Sequence, residues 1–147
     1  MNSIHLTIFC SLIALLSCKG EGKLGNLDVN GISGICFELH QERDFDSATA
    51  IDYQIFREGS TPITPRKFLL GTTSYEIDTK NFYAECIDSI IYLTYNSKTE
   101  VFALYDLRSN IGYPNLENDW KKSFENAERL LLKLKKTKPE LTGEWKK

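Results

Sequence analysis

Between Ile35 and Leu107 apolar residues recur at every second position, the period that sets them on one face of a pleated strand. Ile35, Phe37 and Leu39 alternate with Cys36, Glu38 and His40, while Ile51, Tyr53 and Ile55 alternate with Asp52, Gln54 and Phe56. The charged stretch Gln41 to Asp46 between them reads as a connection, so two antiparallel strands are expected. Thr61-Pro62-Ile63-Thr64-Pro65 breaks the pattern, because proline has no N–H to give to a ladder. Phe68 to Ile77 resumes as a third strand with a bulge or bend at Gly71, and Asp78 to Asn81 reads as a turn. Ile87 to Tyr95 and Val101 to Leu107, joined by Asn96-Ser97-Lys98-Thr99, predict a hairpin. Its first strand sets Ile87, Ile91, Leu93 and Tyr95 on one side and Ile90 and Tyr92 on the other, as in a central strand covered on both faces. Its second sets Val101, Ala103, Tyr105 and Leu107 against Phe102 and Leu104.

After Pro114 the period becomes helical. Leu116, Trp120, Phe124, Ala127, Leu131 and Leu134 follow at spacings of four, four, three, four and three, a continuous apolar stripe. Asn115 or Asn118 supplies a cap, and Pro139 marks the stop. Strands first and one helix last predict an α+β domain: an antiparallel sheet of about five strands in a meander, with the long C-terminal helix packed on one face.

Ahead of the strands, Ile4 to Leu16 is an apolar run without a polar stripe, shorter than the roughly 17 to 25 residues a bilayer span requires. It ends in Leu15-Leu16-Ser17-Cys18. This stretch resembles a bacterial lipoprotein signal with its lipobox: an aliphatic residue three before the cut, a small residue just before it, then a cysteine whose thiol carries a diacylglycerol. The resemblance implies a signal peptide over residues 1–17, a lipidated Cys18 with a flexible polar tether over 18–28, and a single domain over 29–147. Removing the first 17 of 147 residues leaves 130, enough for one domain with its own core. Lys19, where inner-membrane lipoproteins have Asp, further implies the outer membrane of the cell envelope, at its periplasmic face or the cell surface.

Charge narrows the partners. The chain carries 18 Lys and Arg against 20 Asp and Glu, a net −2, and all of these lie after Cys18. From Leu116 to Lys147 there are nine basic and six acidic residues, +3, so the preceding body is −5. A nucleic-acid partner would require a basic face and is not expected. The membrane, through the lipid, and a protein are the expected partners. Beyond Cys10 and Cys18, the globular body holds only Cys36 and Cys86. In an exported domain these two are either a disulfide, closing a loop of about 49 residues worth roughly 4 kcal/mol, or two free thiols.

Candidate chemistry is thin. His40 is the single imidazole after the signal, and with Glu42, Asp44 and Asp46 it offers side-chain types that bind Zn²⁺, Mn²⁺ or Ca²⁺, although a solvated acidic connection explains the same residues. Asp106 and Arg108 share a face at i and i+2, where they form a surface ion pair or join the candidate partner-binding residues. Ile111 and Tyr113, in the turn-rich Ser109 to Asn115 stretch, are candidate partner contacts, Tyr113 otherwise packing as a staple at the helix start. No catalytic residue and no cofactor is expected. The chain reads as a membrane-anchored, non-enzymatic binding protein of the envelope, of the size and type of immunity proteins and small inhibitors. The alternatives are a small hydrolase or metal-dependent enzyme built on His40 to Asp46, or a small-molecule carrier with a cleft between sheet and helix lined by Tyr53, Tyr92 and Phe102.

Overall fold

In the computed structural model, which describes residues 20–43, 49–59, 62–64, 67–72, 77–113 and 120–143, eight antiparallel strands fall into two four-stranded sheets followed by one helix. Sheet A is β1 (Gly20–Asp28), β2 (Ile35–Arg43), β3 (Thr49–Arg57) and β4 (Lys67–Thr72), side by side in chain order. Sheet B is β5 (Phe82–Ile87), β6 (Ile90–Tyr95), β7 (Val101–Asp106) and β8 (Ile111–Tyr113), also in chain order. A short 3-10 turn, Thr79–Asn81, capped by the Asp78 carboxylate on the Lys80 N–H, leads into sheet B. The helix α1 runs from Trp120–Leu134. The class is α+β, and the meander holds within each sheet; the expected single sheet of about five strands is instead two sheets of four.

The alternation explains the layering. Ile35, Phe37, Leu39, Ile51, Tyr53 and Ile55 of sheet A meet Phe82, Ala84, Ile91, Leu93, Ala103 and Tyr105 of sheet B in one buried core between the sheets. The other face of sheet B, with Ile90, Tyr92, Val101 and Leu104, receives Ala127, Leu130, Leu131 and Leu134 of α1 and Leu141 beyond it. Thus β6 is covered on both faces, and five of its six residues are buried. Leu130 joins the stripe expected through Leu131, and Leu116 lies outside the described residues.

Four local departures have physical causes. Residues 20–28, expected as a tether, pair with β2 from Gly20↔Arg43 to Asp28↔Cys36. Their glycines and a bulge between Lys23 and Gly25 break the period-two signal. The expected charged connection is β2 as far as Arg43, its backbone paired on both sides, with β1 and with β3. Asp88 and Ser89 split the expected long strand: with φ of 48° and 70° they form the tight left-handed turn that suits a two-residue hairpin. A register shift between Leu93 and Thr94 leaves Phe102 as the extra, bulged residue of β7. It moves Val101 to the helix face, away from Ala103 and Tyr105.

The chain leaves β1 by clasping the edge of sheet B. Asn30 N–H donates to Ala84 O (3.0 Å), and Cys86 N–H donates to Asn30 O (2.8 Å). Gly31 follows at φ +84°, where a Cβ would lie 2.7 Å from the Cys86 carbonyl oxygen. Glycine is required there both by conformation and by space.

Candidate functional site

Among the described residues, sheet B is covered on both faces and sheet A on its inner face; neither α1 nor the sandwich core covers the outer face of sheet A, where His40 is nonetheless buried. The ladder arranges it in rows. Asp28, Cys36 and Phe56 form the first row, Asn26, Glu38 and Gln54 the second, and Lys23, His40 and Asp52 the third. Glu38 organises the middle: its Oε2 lies 2.5 Å from Lys23 Nζ and its Oε1 2.8 Å from His40 Nε2. The Lys23 ammonium, burial and His40 act on the Glu38 carboxyl in that order, and the net effect holds it below the ordinary carboxylate range.

At the first row the surface deepens into an open groove of about 710 Å³, lined by Asn26, Asp28, Ile32, Ser33, Gly34, Cys36, Glu38, Phe56, Arg57, Glu58 and Gly59. The chain after β1 and the turn after β3 rim it and are joined by Glu58 N–H donating to Gly34 O (2.8 Å). Burial, and then the negative charges of Asp28, Glu38 and Glu58, push the Cys36 thiol up, so it is protonated at neutral pH. A protonated thiol is a poor nucleophile. The groove combines three carboxylates, one guanidinium and the Phe56 ring.

The expected site residues are scattered. His40 and Glu42 lie on one strand, two residues apart; Asp44 and Asp46 lie outside the described residues. His40 is engaged with Glu38, and among the described residues no group of three or more His, Cys, Asp or Glu could hold a metal ion. Cys36 is on the outer face of sheet A and Cys86 packs against the core between the sheets, so the two are free thiols and the disulfide alternative is set aside. Tyr53 is in the inter-sheet core, as is the neighbourhood of Phe102, whereas Tyr92 lies under α1. Sheet B separates them, and the expected carrier cleft does not form. Cys18 and its lipobox lie outside the described residues.

The loop residues serve the fold. Buried Asp106 accepts from Arg108 N–H (2.9 Å), Ser109 Oγ (2.8 Å) and Ser89 Oγ (3.2 Å), a turn-forming role in place of a side-chain ion pair with the exposed Arg108. Ile111 and Tyr113 belong to β8. The Tyr113 ring sits 5.9 Å from that of Phe124 on α1, and its carbonyl accepts from Tyr53 Oη at 3.3 Å. This is the staple expected as the alternative to a partner contact.

A cluster that the sequence did not announce lies where the segment after α1 returns to sheet B. Glu85 Oε2 accepts from Lys138 Nζ, from Tyr92 Oη and, at 3.1 Å, from Tyr83 Oη. Lys138 Nζ also donates to Tyr92 Oη (3.2 Å). Burial pushes the Glu85 carboxyl up, but the three hydrogen bonds outweigh it and hold the group below its usual range. With three donors on one oxygen the carboxylate is satisfied, and its role is to clamp the chain around Lys138 onto the sheet. Alternation places Tyr83 and Glu85 on one face of β5, and the hairpin sets Tyr92 opposite Glu85, but Lys138 lies 53 residues away.

No protein family, curated protein or solved structure matches the chain. Among the described residues no helix is long and apolar enough to cross a membrane.

Proposed function

We propose that the chain is a lipid-anchored lipoprotein of the cell envelope that binds a protein partner, without catalysis, through the outer face of sheet A. The observation carrying this reading is the Cys36–Phe56 end of that face: an open groove holding Asp28, Glu38 and Glu58 around Phe56. Carboxylates around a half-exposed ring favour a partner segment bearing Lys or Arg, and an aromatic supplies contact area at low entropic cost. An immunity protein or inhibitor is the form of binding that fits such a small anchored domain. The anchor is supported by Leu15-Leu16-Ser17-Cys18.

Two experiments test the reading. Cys18→Ser should abolish acylation and leave an uncleaved precursor; recovery of mature, membrane-bound protein from this variant would refute the anchor. A photo-crosslinking residue at the exposed Asn26, on the proposed surface, should trap a partner in cells of the source organism. The same residue at the exposed Glu128 of α1 should trap none. Crosslinking from Glu128 alone would move the interface to the helix.

A further inference from the structure

We infer that the anchored domain stands with the Gly20 end of sheet A against the bilayer and holds the Cys36–Phe56 groove at the far end, facing the aqueous side. The inference rests on the lipid-anchor reading. Strand β1 begins at Gly20, only two residues after Cys18, and two residues reach at most about 7 Å. The acyl chains are therefore attached almost directly to a paired strand instead of to a loose tether.

The register fixes what lies at each end. Gly20 pairs with Arg43, Arg43 with Thr49, and Thr49 with Thr72, so one end of all four strands gathers beside the anchor. Asp28 pairs with Cys36, and Cys36 with Phe56, at the opposite end. From Gly20 to Asp28 the strand advances eight residues, about 26 Å at 3.3 Å each, a little less because of the bulge. That exceeds the Debye length of about 8 Å at physiological salt, so the charge of the lipid surface is screened from the groove. Lying flat on an anionic membrane is opposed by the outer face, where the carboxylates of Asp28, Glu38, Asp52 and Glu58 outnumber the cations of Lys23 and Arg57. The groove therefore meets a partner arriving from water, and a lipid within the bilayer does not reach it.

The test uses the acylated full chain, purified from membranes and placed on phosphatidylcholine–phosphatidylglycerol vesicles that contain a nitroxide-headgroup lipid. A fluorophore is attached to Gly22→Cys or to Ser33→Cys, each in a background lacking Cys36 and Cys86. A Cβ at Gly22 meets nothing within 4 Å, and Ser33 is exposed at the groove. Quenching is expected at position 22 and none at position 33. Equal quenching at both, or stronger quenching at 33, overturns the orientation. Hydrogen exchange of the unsubstituted protein gives a second readout: vesicles should add protection at Gly20 to Gly22 and none at Asn30 to Gly34, and the reverse pattern refutes the proposal. Mass spectrometry and vesicle flotation separate the two readings, since an unacylated, non-floating protein overturns the anchor and the orientation together. Flotation with uniform quenching removes only the orientation.

Discussion

Replacing Glu85 by alanine should destabilise the domain by about 2–4 kcal/mol, more than an ordinary surface ion pair is worth. The carboxylate accepts from Lys138, Tyr92 and Tyr83, and its side chain is only 19% exposed. Without it, the hydroxyl of Tyr92, a residue with no exposed surface, keeps Lys138 as a donor but has no acceptor for its own proton. Leaving such a donor unpaired costs about 1–3 kcal/mol, and the lost charge-assisted bonds add to it. Lys138 is 29% exposed and regains water, so its share is small. Lys138→Met should therefore cost about 1 kcal/mol, and the double variant should cost less than the sum of the singles, because the two groups form one network. The pH dependence has a defined sign. A carboxyl held below its unfolded value of about 4.3 contributes stability above that pH and loses it as pH falls through the folded value. On the alkaline side, hydrogen bonding to Glu85 raises the Lys138 ammonium, and burial with the Glu85 bond raises Tyr92. Their contributions hold below their unfolded values near 10 and fade as pH rises through the folded ones. Urea unfolding of wild type and the three variants between pH 3 and pH 7 measures the acid limb, and the same series carried from pH 9 to pH 11 measures the onset of the alkaline one. A Glu85→Ala loss within 0.5 kcal/mol of zero, or one that does not shrink as pH falls, would refute the clamp.

Leu130→Ala or Leu134→Ala should lower stability by about 2–5 kcal/mol through lost transfer energy and a cavity under α1, whereas Leu132→Ala, at a position 67% exposed, should change it little; thermal melts compare them. Gly31→Ala should cost at least about 1–3 kcal/mol, because it combines a positive φ with backbone crowding against Cys86; an unchanged urea midpoint would show that the clasp relaxes freely. Thiol titration of the denatured, unreduced protein with Cys10 and Cys18 replaced by Ser should find Cys36 and Cys86 both free, and a mass two hydrogen atoms lower than the dithiol form would contradict the structure.

Local periodicity carried the inner faces of β2 and β3, the two-faced burial of β6 and the stripe of α1, because each is a property of neighbours in sequence. What it could not carry is which strands share a sheet. The break at Asp88-Ser89 is legible only as a polar pair inside an apolar run, and neither residue is the glycine that usually signals such a turn. β8 is three residues long and was hidden in a turn-rich stretch. At the candidate site, the outer-face positions of Cys36, Glu38 and His40 follow from alternation. The groove does not, since it needs the Asn30 to Gly34 segment to meet the Glu58 turn. The Glu85–Lys138 pair spans 53 residues and leaves no local trace.

The two-meander topology also sets an order of assembly. A chain made from its N terminus completes β1 to β4 before any strand of sheet B exists, and neighbouring hairpins close quickly because their loops are short. That half then presents Ile35, Phe37, Leu39, Ile51, Tyr53 and Ile55 as one bare apolar face until Phe82 onward arrives. The Asn30–Glu85 clasp, bridging 55 residues, is a late contact that seals the sandwich. The nascent protein is therefore most prone to self-association when only its first half has been made, and a truncation ending between β4 and β5 should be an aggregating fragment rather than a folded subdomain.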